Sequence, residues 1–295
     1  MKAKVFYKGK GEYEEAALKA VANGNYFEFG GGLGDIFNAS ASTPVCRKLD
    51  MGEQVAITLL THNPNSYEVF ANHPNADKLS VVMIPITELL KNGYNRHDVG
   101  FRTRHGLPLN FRDNARDNYP YKPFPRPEDE TALSEITSPF VAFSTTASAG
   151  PQDFRSLPPD LVGRAVEVVA DFGFKAVFTG KHYNTMVADG NPPGIHIESP
   201  PPNHSAVVSM IDRLSVTGNC ELMRRARFTV ACDSSMGCAR RAMWLPGFDL
   251  VCEKMWKACH APPEGHRPIP HNSYQSTFGM FSKELFTSYI NGLKK

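Results

Sequence analysis

The sequence predicts an α/β protein built from two Rossmann-like domains whose parallel sheets face a central cleft. Three observations predict this. Short apolar runs alternate with segments of helical spacing. A proline-rich break at Tyr119–Pro127 divides that alternation into two halves. Glycine- or hydroxyl-rich loops follow several of the apolar runs. Apolar strands alternating with amphipathic helices imply parallel sheets covered on both faces. With 295 residues, 41% of them hydrophobic and 21% charged, the chain is long enough for two packed domains.

The elements follow in order. Val5–Lys8 reads as a short strand, and Glu12–Ala22 has helical spacing that stops at Asn23-Gly24, a good helix end. Tyr26–Phe29 is a strand running into Gly30-Gly31-Gly32-Leu33-Gly34-Asp35, with a helix expected beyond. Gln54–Leu60 and Leu79–Met83 are strands, with helical Ser66–Ala71 between them. The break carries prolines at 120, 123, 125 and 127, then Glu128-Asp129-Glu130, and reads as a stiff linker. Beyond it Phe140–Phe143 is a buried strand. Leu161, Ala165, Val168, Val169 and Phe172 share one helical face that Gly173 terminates. Ala176–Thr179, Phe228–Cys232 and Asp249–Cys252 are strands, and Cys220–Arg225 is a short helix. Two Pro/Gly clusters, Asn191–Asn203 and Pro262–Pro270, read as loops, and a helix closes the chain at about Thr277–Leu293. The domains expected are 1–125, 126–273, and a C-terminal helix at 274–295 that packs back on the first domain.

Composition narrows the class. A net charge of +2 gives no electrostatic case for nucleic acid by itself. Lysines interrupt the N-terminus and no apolar signal core follows; no run approaches the ~18 apolar residues of a spanning helix, so a cytoplasmic protein is expected. The six cysteines form no Cys-x-x-Cys pair and read as free thiols. Cys252, Cys259, His260 and His266 fit no standard zinc spacing.

Three loops can carry chemistry. Gly30–Asp35 joins a strand to a helix start, where backbone approaches a ligand closely and free N–H groups point outward. Its glycine register is a poor dinucleotide fingerprint, and Asp35 also suits a helix-start acid. Asp233-Ser234-Ser235-Met236 follows a strand as an Asp/Ser helix cap, a ready anion site suited to a diphosphate. Ser144-Thr145-Thr146-Ala147-Ser148-Ala149-Gly150 follows another strand, with Arg155 shortly beyond. An ordinary cap and a polar surface loop are the plain readings of the last two. Gly180, Lys181 and His182 follow a strand end and His62 another, while Arg224, Arg225, Arg227, Arg240 and Arg241 read as a basic patch or a solvated helix face.

In this order the motifs resemble glycosyltransferase family 9, the heptosyltransferase-like enzymes of the GT-B fold. Gly34-Asp35 is similar to the family's Gly-Asp motif. Ser138-Pro139 leads into a strand like the first of its donor domain, and Arg155-Ser156-Leu157-Pro158 resembles its Lys-x-Trp-Pro. Ala176–Gly180, Val216-Thr217-Gly218-Asn219-Cys220-Glu221-Leu222-Met223 and Phe228–Ser235 resemble its later segments. The resemblance implies that Asp35 is the general base. It implies that Arg155 neutralises donor phosphate, and that Thr145, Thr146, Asp233, Ser234 and Ser235 hold the diphosphate. Gly34, Gly180, Lys181 and Met236 complete the expected donor contacts. The chain departs from the pattern at Ser235, where the family has glycine, and at Cys238, where it has histidine.

The expected activity is metal-independent, inverting transfer of a sugar from a nucleoside-diphosphate donor to an acceptor hydroxyl. No separate cofactor is expected, and no Asp-x-Asp stands near a strand end. The acceptor is a glycan or a modified (hydroxymethylated) DNA base. The alternatives are a non-catalytic nucleotide- or sugar-binding protein of the same fold and a Rossmann oxidoreductase, which the glycine register disfavours. The sequence leaves the oligomeric state open.

Overall fold

The computed structural model describes residues 4–7, 15, 18–20, 22–42, 44–61, 63, 65–85, 119–147, 155–185, 194–196, 198–253 and 273–293. The chain divides into two compact units: Met1–Phe124 with Asn184–Ile195, and Pro125–Tyr183 with His196–Lys295.

In the first unit β1 (Lys4–Tyr7), β2 (Tyr26–Gly31), β3 (Val55–Thr61) and β4 (Leu79–Pro85) form an all-parallel sheet in the order β1-β4-β3-β2. Its helices are α1 (Leu33–Ser42), α2 (Val45–Asp50) and α3 (Glu68–Ala71). Val55, Ala56, Ile57 and Leu59 are fully buried, consistent with a strand covered on both faces. The glycine run is split by the fold: Gly30 and Gly31 finish β2, and α1 starts at Leu33.

The expected linker is part of the first unit's packing. The Asp50 carboxylate accepts from Lys122 Nζ at 2.7 Å, from His73 Nε2 at 3.0 Å and from Tyr119 OH. Tyr121 is buried, donates from its hydroxyl to the Val69 carbonyl at 2.8 Å and meets Phe37 edge-on. Pro127 then opens a helix, α4 (Pro127–Ser134), because a proline at N1 lacks only an N–H that would have no partner there. Asp129 accepts from Arg126 N, Ser215 N and Ser215 Oγ at 2.8, 2.7 and 2.6 Å.

The second unit holds a six-stranded parallel sheet in the order β12-β11-β10-β5-β6-β9. Its strands are β5 (Phe140–Ser144), β6 (Lys175–Phe178), β9 (Val207–Ser209), β10 (Thr229–Ala231), β11 (Gly247–Val251) and β12 (Ser273–Thr277). The short strands β7 (Tyr183–Thr185) and β8 (Gly194–His196) pair separately, so the segment read as a Pro/Gly loop contains a strand. Alternation along the strands sorts side chains between two faces. Phe143, Phe178, Val230, Phe248 and Leu250 join the core beneath α5 (Pro159–Asp171) and α8 (Lys283–Gly292). α6 (Val216–Arg225) packs against β5, α4 and α7 (Ser235–Ala242).

The closing helix, α8, lies in the second unit. Its apolar face supplies Phe286 and Ile290 to that unit's core, where Phe286 meets Phe248 edge-on at 4.9 Å and Phe228 at 5.9 Å. An aromatic cluster of this kind buries several large side chains at once, and it holds the helix where those rings are. Among the described residues, no helix is long and apolar enough to cross a membrane.

Candidate functional site

The order of the second sheet locates the site. From β5 the chain moves outward to β6 and β9, then returns to the other side of β5 for β10, β11 and β12. The reversal falls between β5 and β10. The helix after β5, α5, lies with the core on one face, while α7, after β10, packs with α6. The two strands therefore lead to helices on opposite faces, and the carboxyl ends of strands at such a reversal are the position where open α/β sheets bind ligands.

Residues from both loops meet there. Ser144 Oγ and Ser234 Oγ lie 3.3 Å apart, and Cys232 N donates to the Ser144 carbonyl at 3.0 Å. Arg155 Nη2 donates to the Asp233 carbonyl at 2.7 Å and to its carboxylate at 3.0 Å, joining the β5 loop to the β10 loop. Asp233 is buried, and the Arg155 side chain is 22% exposed. Thr145 is buried and its carbonyl accepts the Leu157 N–H at 2.8 Å, which turns the chain back past Arg155.

Ser234 is the N-cap of α7, and its hydroxyl accepts the Gly237 N–H at 3.4 Å. The first N–H groups of a helix have no intrahelical acceptor and carry the positive end of its dipole. Ser235, half-buried, and Met236, buried, are the first two helical residues. Gly237 is where the helix closes on the sheet: a Cβ there would stand 2.8 Å from the Cys232 carbonyl oxygen.

Arg240 and Arg241, read from sequence as a patch or solvated face, are buried instead. Their guanidiniums share Asp249 Oδ2 at 2.5 and 3.0 Å, and Arg240 also donates to the Leu245 carbonyl and Ser273 Oγ. Arg241 Nη2 reaches Cys238 Sγ at 3.3 Å. Burial alone would push the Asp249 carboxyl up, but the two guanidiniums override it and hold it below the usual carboxylate range. This network fastens α7 to β11 and β12. Arg224 and Arg225 are paired with Glu221, and Arg225 also with Glu130. Cys232 is fully buried, and burial pushes its thiol up to about 12. Cys46, Cys220, Cys232, Cys238 and Cys252 are all buried.

The loop after β5 also meets the segment that contacts the loop after β6. Thr146 Oγ1 accepts the Ser199 N–H at 2.9 Å, and the neighbouring Glu198 accepts the Lys181 N–H at 3.1 Å. A Cβ on Gly180 would fall 2.4 Å from Glu198 Oε1, so only glycine lets that carboxylate sit where it does. Glu198 stands in a segment that reads as a proline-rich loop, and nothing in its spacing marks it.

In the first unit Asp35 is exposed in the opening turn of α1, and its Oδ2 accepts the Gly32 N–H at 2.9 Å. It therefore caps its own helix from the N3 position; Gly34 is half-buried beside it. His62, Ser148–Gly150, Cys259, His260 and His266 lie outside the described residues. Among the described residues no group of three or more His, Cys, Asp and Glu is placed to hold a metal ion.

Neither a protein-family model nor a curated protein matches the sequence. Solved structures do share the fold. The E. coli ADP-heptose LPS heptosyltransferase II superposes with a TM-score of 0.54 at 12% identity, over 91% of this chain and 97% of that one. E. coli heptosyltransferase WaaC with ADP gives 0.52 at 10% identity, over 90% and 96%. The glycosyl transferase family 9 structure from Veillonella parvula gives 0.51 at 13% identity, over 91% and 97%. The likeness is one of fold, and that fold is the two-sheet GT-B architecture of the heptosyltransferases.

Proposed function

We propose that the chain is an inverting glycosyltransferase that takes a sugar from a nucleoside-diphosphate donor. The observation that carries the reading is the meeting of the β5 and β10 loops, where the Arg155–Asp233 pair and the capped N-terminus of α7 stand at one place. A diphosphate suits that pairing: a guanidinium matches phosphate oxygens, and helix N–H groups bind anions. Sharing a fold with ADP-heptose heptosyltransferase II, and with WaaC in its ADP complex, supports the same reading.

In this scheme the acceptor oxygen attacks the anomeric carbon from the face opposite the leaving group. The bond from that carbon to the diphosphate oxygen breaks, and its electron pair departs on the nucleoside diphosphate. Arg155 and the α7 N–H groups stabilise the charge that develops there, so the scheme needs no metal. Asp35 is the proposed general base and receives the acceptor's proton. Thr145, Thr146, Ser234, Ser235 and Met236 line the donor side with Arg155, and Asp233 orients that arginine. Gly34, Gly180 and Lys181 complete the proposed contacts. The acceptor is a glycan hydroxyl or the hydroxymethyl group of a modified DNA base. Buried thiols such as Cys220 and Cys232 fit the reducing cytoplasm, where we place the reaction.

One observation favours a second reading. Ser235 and Cys238 stand where the glycosyltransferase family 9 pattern has glycine and histidine, as in a protein that binds nucleotide sugars without catalysis.

A thermal-shift screen against a panel of nucleotide sugars tests the proposal, followed by donor-consumption assays with wild type and Asp35→Asn. A ligand at 100 times its Kd adds about 2.7 kcal/mol of stability. No shift with any nucleotide sugar or nucleoside diphosphate would remove the donor site. Binding with donor turnover that Asp35→Asn leaves intact would remove Asp35 from the base role.

A further inference from the structure

The two adjacent arginines of α7 are not equivalent, and the scheme above uses neither. Arg240 Nη1 donates to the Leu245 carbonyl at 2.7 Å and to Ser273 Oγ at 2.8 Å, both at the amino ends of β11 and β12. Its Nη2 donates to Asp249 Oδ2 at 2.5 Å, closer than the 3.0 Å contact from Arg241 Nη1. Helical side chains lean toward the N-terminus of their helix, so Arg241 lies over the residues three and four before it. Its Nη2 is 3.3 Å from Cys238 Sγ, and a Cβ on Gly237 would stand 3.8 Å from its Nη1. The Gly237 N–H is the one that Ser234 caps. Arg241 therefore sets its charge beside the first turn of α7, the turn proposed to hold the diphosphate.

Charge is not balanced in this network. Arg240, Arg241 and Asp249 are all buried, so two cations share one anion. Arg240 and Asp249, at the shorter distance and with two neutral acceptors besides, form a closed pair, and Arg241 is the surplus. A guanidinium carries five donors. Those of Arg241 reach Asp249 Oδ2 and Cys238 Sγ, and its buried Nε has no partner among the described residues. Burial disfavours its charge, but neighbours that include Asp249 and Asp233 outweigh that and raise its pKa, so the cation persists. Asp233 is already paired with Arg155. A buried cation in excess is costly in a low-dielectric interior, and an anion brought close to it recovers that cost.

We infer that Arg241 is a positioning charge for the phosphate half of the ligand, strengthening anion binding across the first turn of α7 without reading the nucleoside. The inference rests on the diphosphate site proposed above and adds a residue that acts there through its field.

The test is calorimetric titration of the full chain with inorganic pyrophosphate, ADP, UDP, GDP and CDP, beside thermal unfolding. Arg241→Met should weaken pyrophosphate and every nucleoside diphosphate by the same factor of about ten, as for one charge acting in a partly screened interior. Thermal stability should hold or rise, because Arg240 and Asp249 remain as a closed pair. Arg241→Lys keeps the charge and should keep most of the affinity. Asp249→Asn enlarges the surplus and should tighten pyrophosphate binding, and it carries the test if Arg241→Met does not fold. A merely structural network predicts instead that Arg241→Met and Asp249→Asn both weaken binding as stability falls. Unchanged pyrophosphate affinity in Arg241→Met, or weakened affinity in Asp249→Asn, overturns this inference alone. Failure of wild type to bind pyrophosphate and every nucleoside diphosphate overturns the diphosphate site as well.

Discussion

Replacing Gly237 by alanine sets two effects of opposite sign against each other. In the interior of a helix alanine is favoured over glycine by about 0.5–1 kcal/mol through lower unfolded-state entropy. At Gly237, however, the new Cβ stands 2.8 Å from the Cys232 carbonyl oxygen, which belongs to the backbone at the end of β10. No side chain can swing aside. The start of α7 must move off the sheet by several tenths of an ångström, against the Arg240–Asp249–Arg241 network that ties the same helix to β11 and β12. Overpacking of this kind costs about 1–3 kcal/mol, so the net expectation is a loss of about 1–2 kcal/mol. The shift also displaces the N–H groups proposed to hold the diphosphate, so affinity for a nucleoside diphosphate should fall with stability. Urea unfolding at equilibrium, with unchanged m-value, measures the first, and calorimetry the second. A variant as stable as wild type or more so, with unaltered nucleotide affinity, would refute the claim that this glycine sets the docking of α7.

Other expectations follow from the same geometry. Arg155→Ala should weaken nucleoside-diphosphate binding by about tenfold or more, as for loss of a charged hydrogen-bond donor, and an unchanged Kd would defeat its assigned role. Asp35→Asn should keep donor affinity and lose turnover; Asp35→Ala should in addition cost up to about 1 kcal/mol of stability through the lost cap, read by thermal unfolding. Asp249→Ala strands two buried guanidiniums and should cost about 3–5 kcal/mol, enough to unfold the second unit or nearly so. The same pair predicts the pH response. The Asp249 carboxyl titrates lower folded than unfolded, so its contribution is full above the ordinary value of 3.8 and is lost as pH falls through the folded value. Acid unfolding monitored by circular dichroism should show that loss in wild type and not in Asp249→Asn.

The sequence made the buried strands visible because strands covered on both faces read as continuous apolar runs, as in Phe140–Phe143 and Phe228–Cys232. β9 escaped because it is only three residues long, and β12 because it is polar: Ser273–Thr277 is an edge strand with only Ser276 and Thr277 buried. The prolines before α4 suggested a linker because proline marks both linkers and first helical turns, and only packing distinguishes them. Arg240 and Arg241 looked like surface residues because their shared partner, Asp249, comes from a separate strand. The site shows the same division. Thr145, Thr146, Asp233 and Ser234 were legible as hydroxyl and carboxylate groups just past strands. That Ser144 and Ser234 lie side by side depends on β5 pairing with β10, a neighbour distant in sequence that no local pattern specifies. Glu198 owes its position to Gly180, which periodicity does not encode.

The account turns on an anion held where the second sheet reverses its strand order. A crystal structure of the full chain with a bound nucleoside diphosphate addresses that claim directly. Phosphate oxygens within hydrogen-bond distance of the Ser235 and Met236 amides and of the Arg155 guanidinium are the predicted result; a nucleotide seated elsewhere, with those groups untouched, would contradict it.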